Sequence, residues 1–171
     1  MQYISRQEFD LACVALSEVV TRCATDALRQ HGFRWYKATP LPPSSFDALK
    51  TRYRLCKVQG DPFFPVLRDY CDDVIYCAPW INRLYRAWHD LTHIELDRGF
   101  DFRSELAVAR FKSQYIPHGL LREIMLADAV GESEFAHLSG GKFPLHQREW
   151  AYDYVTRGLE YAYRKHIKHT A

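Results

Sequence analysis

The sequence predicts an all-α protein, an irregular bundle of six or seven helices in a single domain over residues 1–171. Three observations carry that prediction. Apolar residues recur at three- and four-residue spacing along most of the chain. No segment alternates apolar and polar residues convincingly over more than four positions. Gly and Pro clusters divide the periodic stretches at lengths typical of helices.

The elements follow in order. Ser5 and Glu8 form an S-x-x-E capping box. Phe9, Ala12, Cys13, Leu16, Val19, Val20, Cys23 and Ala27 then mark one face of a first helix over about 5–31, stopped by Gly32. Residues 33–45, with Pro40, Pro42 and Pro43, read as an irregular connector rich in rings and prolines. A second helix starts at Ser44 or Ser45 and carries Phe46, Leu49, Tyr53 and Cys56, although Arg54 to Gln59 also fits a short strand. Gly60-Asp61-Pro62 breaks it, with Asp61 placed to cap a short helix that has Pro62 at its first position. Pro79 opens a helix to about Leu96, which Asp97-Arg98-Gly99 ends. Ser104-Glu105 starts the next, which stops at Pro117; another covers 119–138 and ends at Ser139-Gly140-Gly141. The last is expected from Pro144 to about Lys168, with Ala151, Tyr154, Val155, Leu159 and Ala162 on its apolar face.

Composition narrows the function classes. Lys+Arg number 23 against 21 Asp+Glu, a net charge of +2, which excludes a histone-like binder and speaks against strong unspecific nucleic-acid binding. Aromatic residues make up 15%, the mark of a rigid core and not of a disordered chain. No apolar run approaches the roughly 18 residues of a membrane span, and Met1 to Glu8 lack the apolar stretch of a signal peptide. Five cysteines (Cys13, Cys23, Cys56, Cys71, Cys77), odd in number and without CxxC spacing, are expected as reduced thiols in a cytoplasmic setting. There is no GxSxG, P-loop or GxGxxG.

The most informative stretch is Trp88-His89-Asp90-Leu91-Thr92-His93. His89 and His93 are four apart on a predicted helix, so both imidazoles share one face and can reach a single metal ion. Apolar neighbours (Leu84, Trp88, Leu91, Ile94) argue against a freely solvated face. Glu105 opens the following helix twelve residues after His93, and a helical hairpin would bring it back over the histidines as a third ligand. The alternative is a set of half-buried histidines satisfied by Asp90 or Glu105. Asp90 stands where HExxH zinc motifs have Glu; one methylene shorter, it suits ligation or orientation of a ligand better than reaching a water. Asp128 sits in an apolar run and requires a partner such as Arg86, Arg110 or a metal. Glu132 lies four residues on, and Gly131 before it suggests a close helix approach. His137 and His146 are expected at a cleft mouth. The basic end, Arg164 to His169, is expected as a solvated turn that complements the helix dipole.

The run Arg86-Ala87-Trp88-His89-Asp90-Leu91-Thr92-His93, with Gly99-Phe100-Asp101-Phe102-Arg103-Ser104-Glu105 and Leu126-Ala127-Asp128-Ala129-Val130-Gly131-Glu132, resembles a pattern in small bacteriophage and mobile-element proteins: an HDxxH helix, a Gly-Phe…Glu link and a later acidic segment. The resemblance covers roughly residues 83–150. It implies that His89, Asp90, His93, Glu105 and Asp128 belong to one site. Ser104 stands where that pattern usually has Gly, and Glu132 where it usually has Gln. The His89-Asp90 doublet is also similar to that of HD-domain phosphohydrolases, whose remaining ligands would fall on His31 and Asp128.

The function expected is a metal-dependent hydrolase. His89, His93 and Glu105 would hold a divalent ion (zinc, manganese or iron). Asp90 and Asp128 would orient ligands or act as general base, and the substrate would be a small molecule, a phosphoester or nucleotide. The rival is a non-enzymatic, phage-type interaction protein that binds and inhibits a host factor through aromatics of residues 33–46 (Phe33, Trp35, Tyr36, Phe46). A di-iron bundle would need an ExxH on each of two helices, which this chain lacks.

Overall fold

The computed structural model describes residues 4–41, 43–69 and 73–170. Helix α1 spans Arg6–Gln30. Its start is the expected capping box: Glu8 N donates to Ser5 Oγ (3.2 Å) and Ser5 N donates to the Glu8 carboxylate (2.8 Å). Its stripe of Phe9, Ala12, Cys13, Leu16, Val20, Ala24 and Leu28 is buried. Opposite lies α3, Pro79–Leu96, whose buried face includes Ile81, Leu84, Trp88 and Leu91. These two long helices make the most extensive helix–helix contact of the fold. Ser17 Oγ donates to the Cys13 carbonyl and accepts from Cys77 N (3.1 Å), which pins the entry to α3 against α1.

Between them the chain departs from the sequence expectation. The connector holds strand β1, Trp35–Thr39, and β2 follows at Phe63–Leu67; the two pair in parallel from Trp35↔Phe63 to Thr39↔Leu67. Helix α2, Phe46–Gln59, is the crossover. Residues 54–59 are therefore helical and not a strand. Asp61 caps no helix; its Oδ1 accepts from Phe63 N (2.9 Å) in the turn into β2. The strand face buries Phe64 and Val66. Phe33 packs on Phe64 and Tyr53 and is only 2% exposed, so it contributes no contact surface; of the four connector aromatics, Trp35 is the exposed one, at 37%.

Helix α4 spans Phe102–Ser113 and α5 Leu120–Leu126; α5 continues through a π turn, Ala127–Gly131, into α6, Glu132–Ser139. The expected last helix is two: α7, Gln147–Arg157, and α8, Leu159–His166. Gly158 separates them with φ 83° and ψ 170°, a conformation open essentially to glycine alone. The return of α8 builds a small second cluster of Phe135, Trp150 and Ala162. It also buries His166, which bonds Asp153 at 2.8 Å, so the basic end is not simply a solvated turn.

Counted with the π turn inside one continuous helix, the described residues form seven helices and one two-stranded sheet, a mostly-α irregular bundle. No helix among them is long and apolar enough to cross a membrane. Cys13, Cys23, Cys56 and Cys77 are free thiols; Cys71 lies outside the described residues.

Candidate metal centre

Helix α3 presents Tyr85, His89 and His93 at successive turns of one face. The helix ends at Asp97, in the left-handed region with φ 48°. The reversal returns the Arg98 carbonyl to His93, 3.0 Å from its Nδ1. A carbonyl can only accept, so Nδ1 carries the proton and the neutral ring keeps its Nε2 lone pair for the cleft side. The His93 ring is fully buried, with Phe100 edge-on at 5.0 Å.

Helix α4 supplies the third group. Asp101 caps it, accepting from Arg103 N and Ser104 N; the Ser104 hydroxyl, donating at 2.6 Å, and then these backbone bonds hold the Asp101 carboxyl below its ordinary range. That start fixes Glu105 within the first turn, so the short link 97–101 closes the helical hairpin the spacing predicts. His89 Nε2 lies 2.9 Å from His93 Nε2. Glu105 offers one oxygen to each ring: Oε2 to His89 Nε2 and Oε1 to His93 Nε2, both at 3.4 Å. Ligand atoms sharing one ion at ~2.1 Å sit roughly 3.0–3.4 Å apart, so these separations match edges of a single coordination polyhedron. Burial, with Lys112 and His93 as further causes, pushes His89 well below the ordinary imidazole pKa and keeps it neutral, the state that ligates.

The group opens on a cleft of about 450 Å³ walled by Tyr85, Phe100, Phe102, Asp128, Glu132 and His137, among others. Asp128 and Glu132 come from the π turn and its exit. Gly131 permits this: a Cβ there would stand 3.1 Å from the Tyr154 ring and 3.4 Å from Trp150 Nε1, the close helix approach its position suggests. Trp150 Nε1 donates to the Ala127 carbonyl (3.3 Å). Burial pushes the Asp128 carboxyl up to about 7 against the pull of Lys112 and Arg86. Glu132 is raised well above its ordinary value by burial and by Asp128.

The sequence-predicted residues thus divide. His89, His93 and Glu105 converge, and Asp128 shares their cleft. Asp90 lines a smaller neighbouring pocket with Val66, Leu67, Arg86 and Phe100, where burial pushes its carboxyl up to about 7. His31 caps the end of α1, with Nδ1 3.2 Å from the Tyr53 hydroxyl, and among the described residues it joins no metal-bridging group, so the HD-type ligand set does not assemble. His137 reaches the cleft and stacks on Phe102, whereas His146 pairs with Asp73 at 2.7 Å.

Sequence reasoning missed Lys112. It is fully buried, its Nζ 3.5 Å from the Tyr85 ring centroid and without a hydrogen-bond partner among the described residues. Burial lowers its pKa to about 7, while Asp128, Glu105 and Asp90 pull the other way. The signal was its place on the stripe Ser104, Val108, Ala109 and Lys112, the buried face of α4. No family profile, curated protein or solved structure matches this chain.

Proposed function

We propose that the protein is a metal-dependent hydrolase with a divalent cation held by His89, His93 and Glu105. The observation that supports this reading is the convergence of two imidazole nitrogens and both oxygens of one carboxylate at ligand–ligand spacing, on the wall of a cleft. Two nitrogens and a carboxylate suit zinc, manganese or iron. An ion bound there lowers the pKa of a bound water and polarises an oxygen of the substrate. The Arg98 carbonyl fixes the His93 ring for ligation. Tyr85, Phe100 and Phe102 restrict water on the cleft wall. Asp128, titrating at about 7, takes a proton near neutral pH and serves as general base. An ion held at the cleft would polarise a phosphoryl oxygen, which makes a phosphoester the first class to test.

The test is hydrolysis of bis(p-nitrophenyl) phosphate by metal-free protein supplied with Mn²⁺ or Zn²⁺. Activity that needs the ion and falls at least ~100-fold in Glu105→Gln and Asp128→Asn, with circular dichroism unchanged, is the expected result. Activity equal in wild type and both variants contradicts the assignment.

A further inference from the structure

The cleft holds more negative charge than one ion at the histidines uses. Asp128 and Glu132, four residues apart across the π turn, line the same wall as His89 and Glu105. Asp128 is 8% exposed. Glu132 Oε1 is sealed from solvent and accepts no hydrogen bond among the described residues. Its other oxygen has Gln147 Nε2 at 3.5 Å, the outer limit of such a bond. A buried carboxylate with an unused oxygen is expensive unless a cation meets it. The nearby side-chain cations attract these carboxylates, Lys112 and Arg86 acting on Asp128 and Arg86 on Glu132, but neither bonds the open Glu132 oxygen. Lys112 Nζ turns its charge to the Tyr85 ring and makes no hydrogen bond among the described residues, and Arg86 Nη1 is engaged by the Asp69 carbonyl at 2.6 Å.

We propose that Asp128 and Glu132 hold a second divalent cation, beside the ion of the His89–His93–Glu105 group, so that the cleft works with a pair of ions. This rests on the reading of the first site and extends it; with the second ion bound, Asp128 is its ligand and no longer the free general base of the one-ion reading. The two sites differ in chemistry. The first offers two nitrogens and a carboxylate, the second oxygens alone, so the second takes a hard ion such as Mg²⁺ or Mn²⁺. Without the ion, a proton satisfies the pair, in keeping with the raised pKa of both carboxyls; the cation displaces it. Paired ions that contact the attacking and leaving oxygens suit phosphoester cleavage, and this narrows the substrate class.

The experiment is equilibrium dialysis of metal-free, tag-free protein against Mn²⁺, with bound metal counted by mass spectrometry. Wild type is expected to bind two equivalents. Asp128→Asn/Glu132→Gln is expected to bind one, and the isosteric Glu132→Gln alone to weaken the second at least ~10-fold if the double variant folds poorly. A wild type that saturates at one equivalent, lost in His89→Ala/His93→Ala, overturns the second site and leaves the first standing. Two equivalents retained in Asp128→Asn/Glu132→Gln also overturn it. No bound metal in any form removes both readings.

Discussion

The His93 imidazole is fixed at Nδ1 by the Arg98 carbonyl, and its Nε2 faces His89 Nε2 at 2.9 Å and Glu105 Oε1 at 3.4 Å. Asp90, Asp128 and Lys112 are ionisable groups whose pKa values burial displaces, and the displacements have opposite consequences for stability. Asp90 and Asp128 titrate near 7 instead of 3.8. Between those values the folded chain keeps protons the unfolded chain has released, so their contribution to stability falls as pH rises. Lys112 titrates near 7 instead of 10.5. Over that interval the folded chain has lost a proton that the unfolded chain retains, so its contribution rises with pH. For these three groups the falling and rising limbs meet near pH 7 in the metal-free protein. Lys112→Met is expected to flatten the rising limb. Urea midpoints at about pH 7 and about pH 9.5 check this, and an unchanged rise in the variant would show that another group is responsible.

Among the elements, the helix interrupted by the π turn matters most to the cleft, because it sets where Asp128 and Glu132 emerge. Its packing depends on Gly131 lying under Tyr154 and Trp150. Gly131→Val is expected to cost about 2 kcal/mol by overpacking against α7. A lower urea midpoint with an unchanged slope is the readout, and a midpoint at or above wild type counts against the close fit. The elements also show what the sequence could and could not disclose. Helices α1 and α3 were legible because their buried stripes repeat at three and four residues. The strands were not: each is five residues long and half-exposed, and its partner lies across a whole helix. The α7–α8 break turns on the single residue Gly158 inside an otherwise periodic run, too small a signal against its neighbours. His89, His93 and Glu105 were legible because helix geometry and a short link decide their meeting. Lys112 was hidden because a lysine in a charged helix is ordinarily read as solvated.

At the scale of the whole molecule, the helical frame encloses a charged interior next to its apolar core. α1 and the β1–α2–β2 unit pack around α3, and α4 with the π turn closes the cleft over the outer face of α3. The aromatic content of the chain serves both regions. Phe9, Phe64 and Trp150 are wholly buried in the core, and Tyr85, Phe100 and Phe102 wall the cleft. We propose that this frame holds an ion between α3 and α4, at His89, His93 and Glu105. The most direct measurement is the metal content of protein purified without a histidine tag, for wild type and for His89→Ala/His93→Ala. Near-stoichiometric divalent metal is expected in the wild type, lost from a variant with an unchanged helical spectrum. A metal-free wild type that also fails to take up Zn²⁺, Mn²⁺ or Fe²⁺ on dialysis would contradict it.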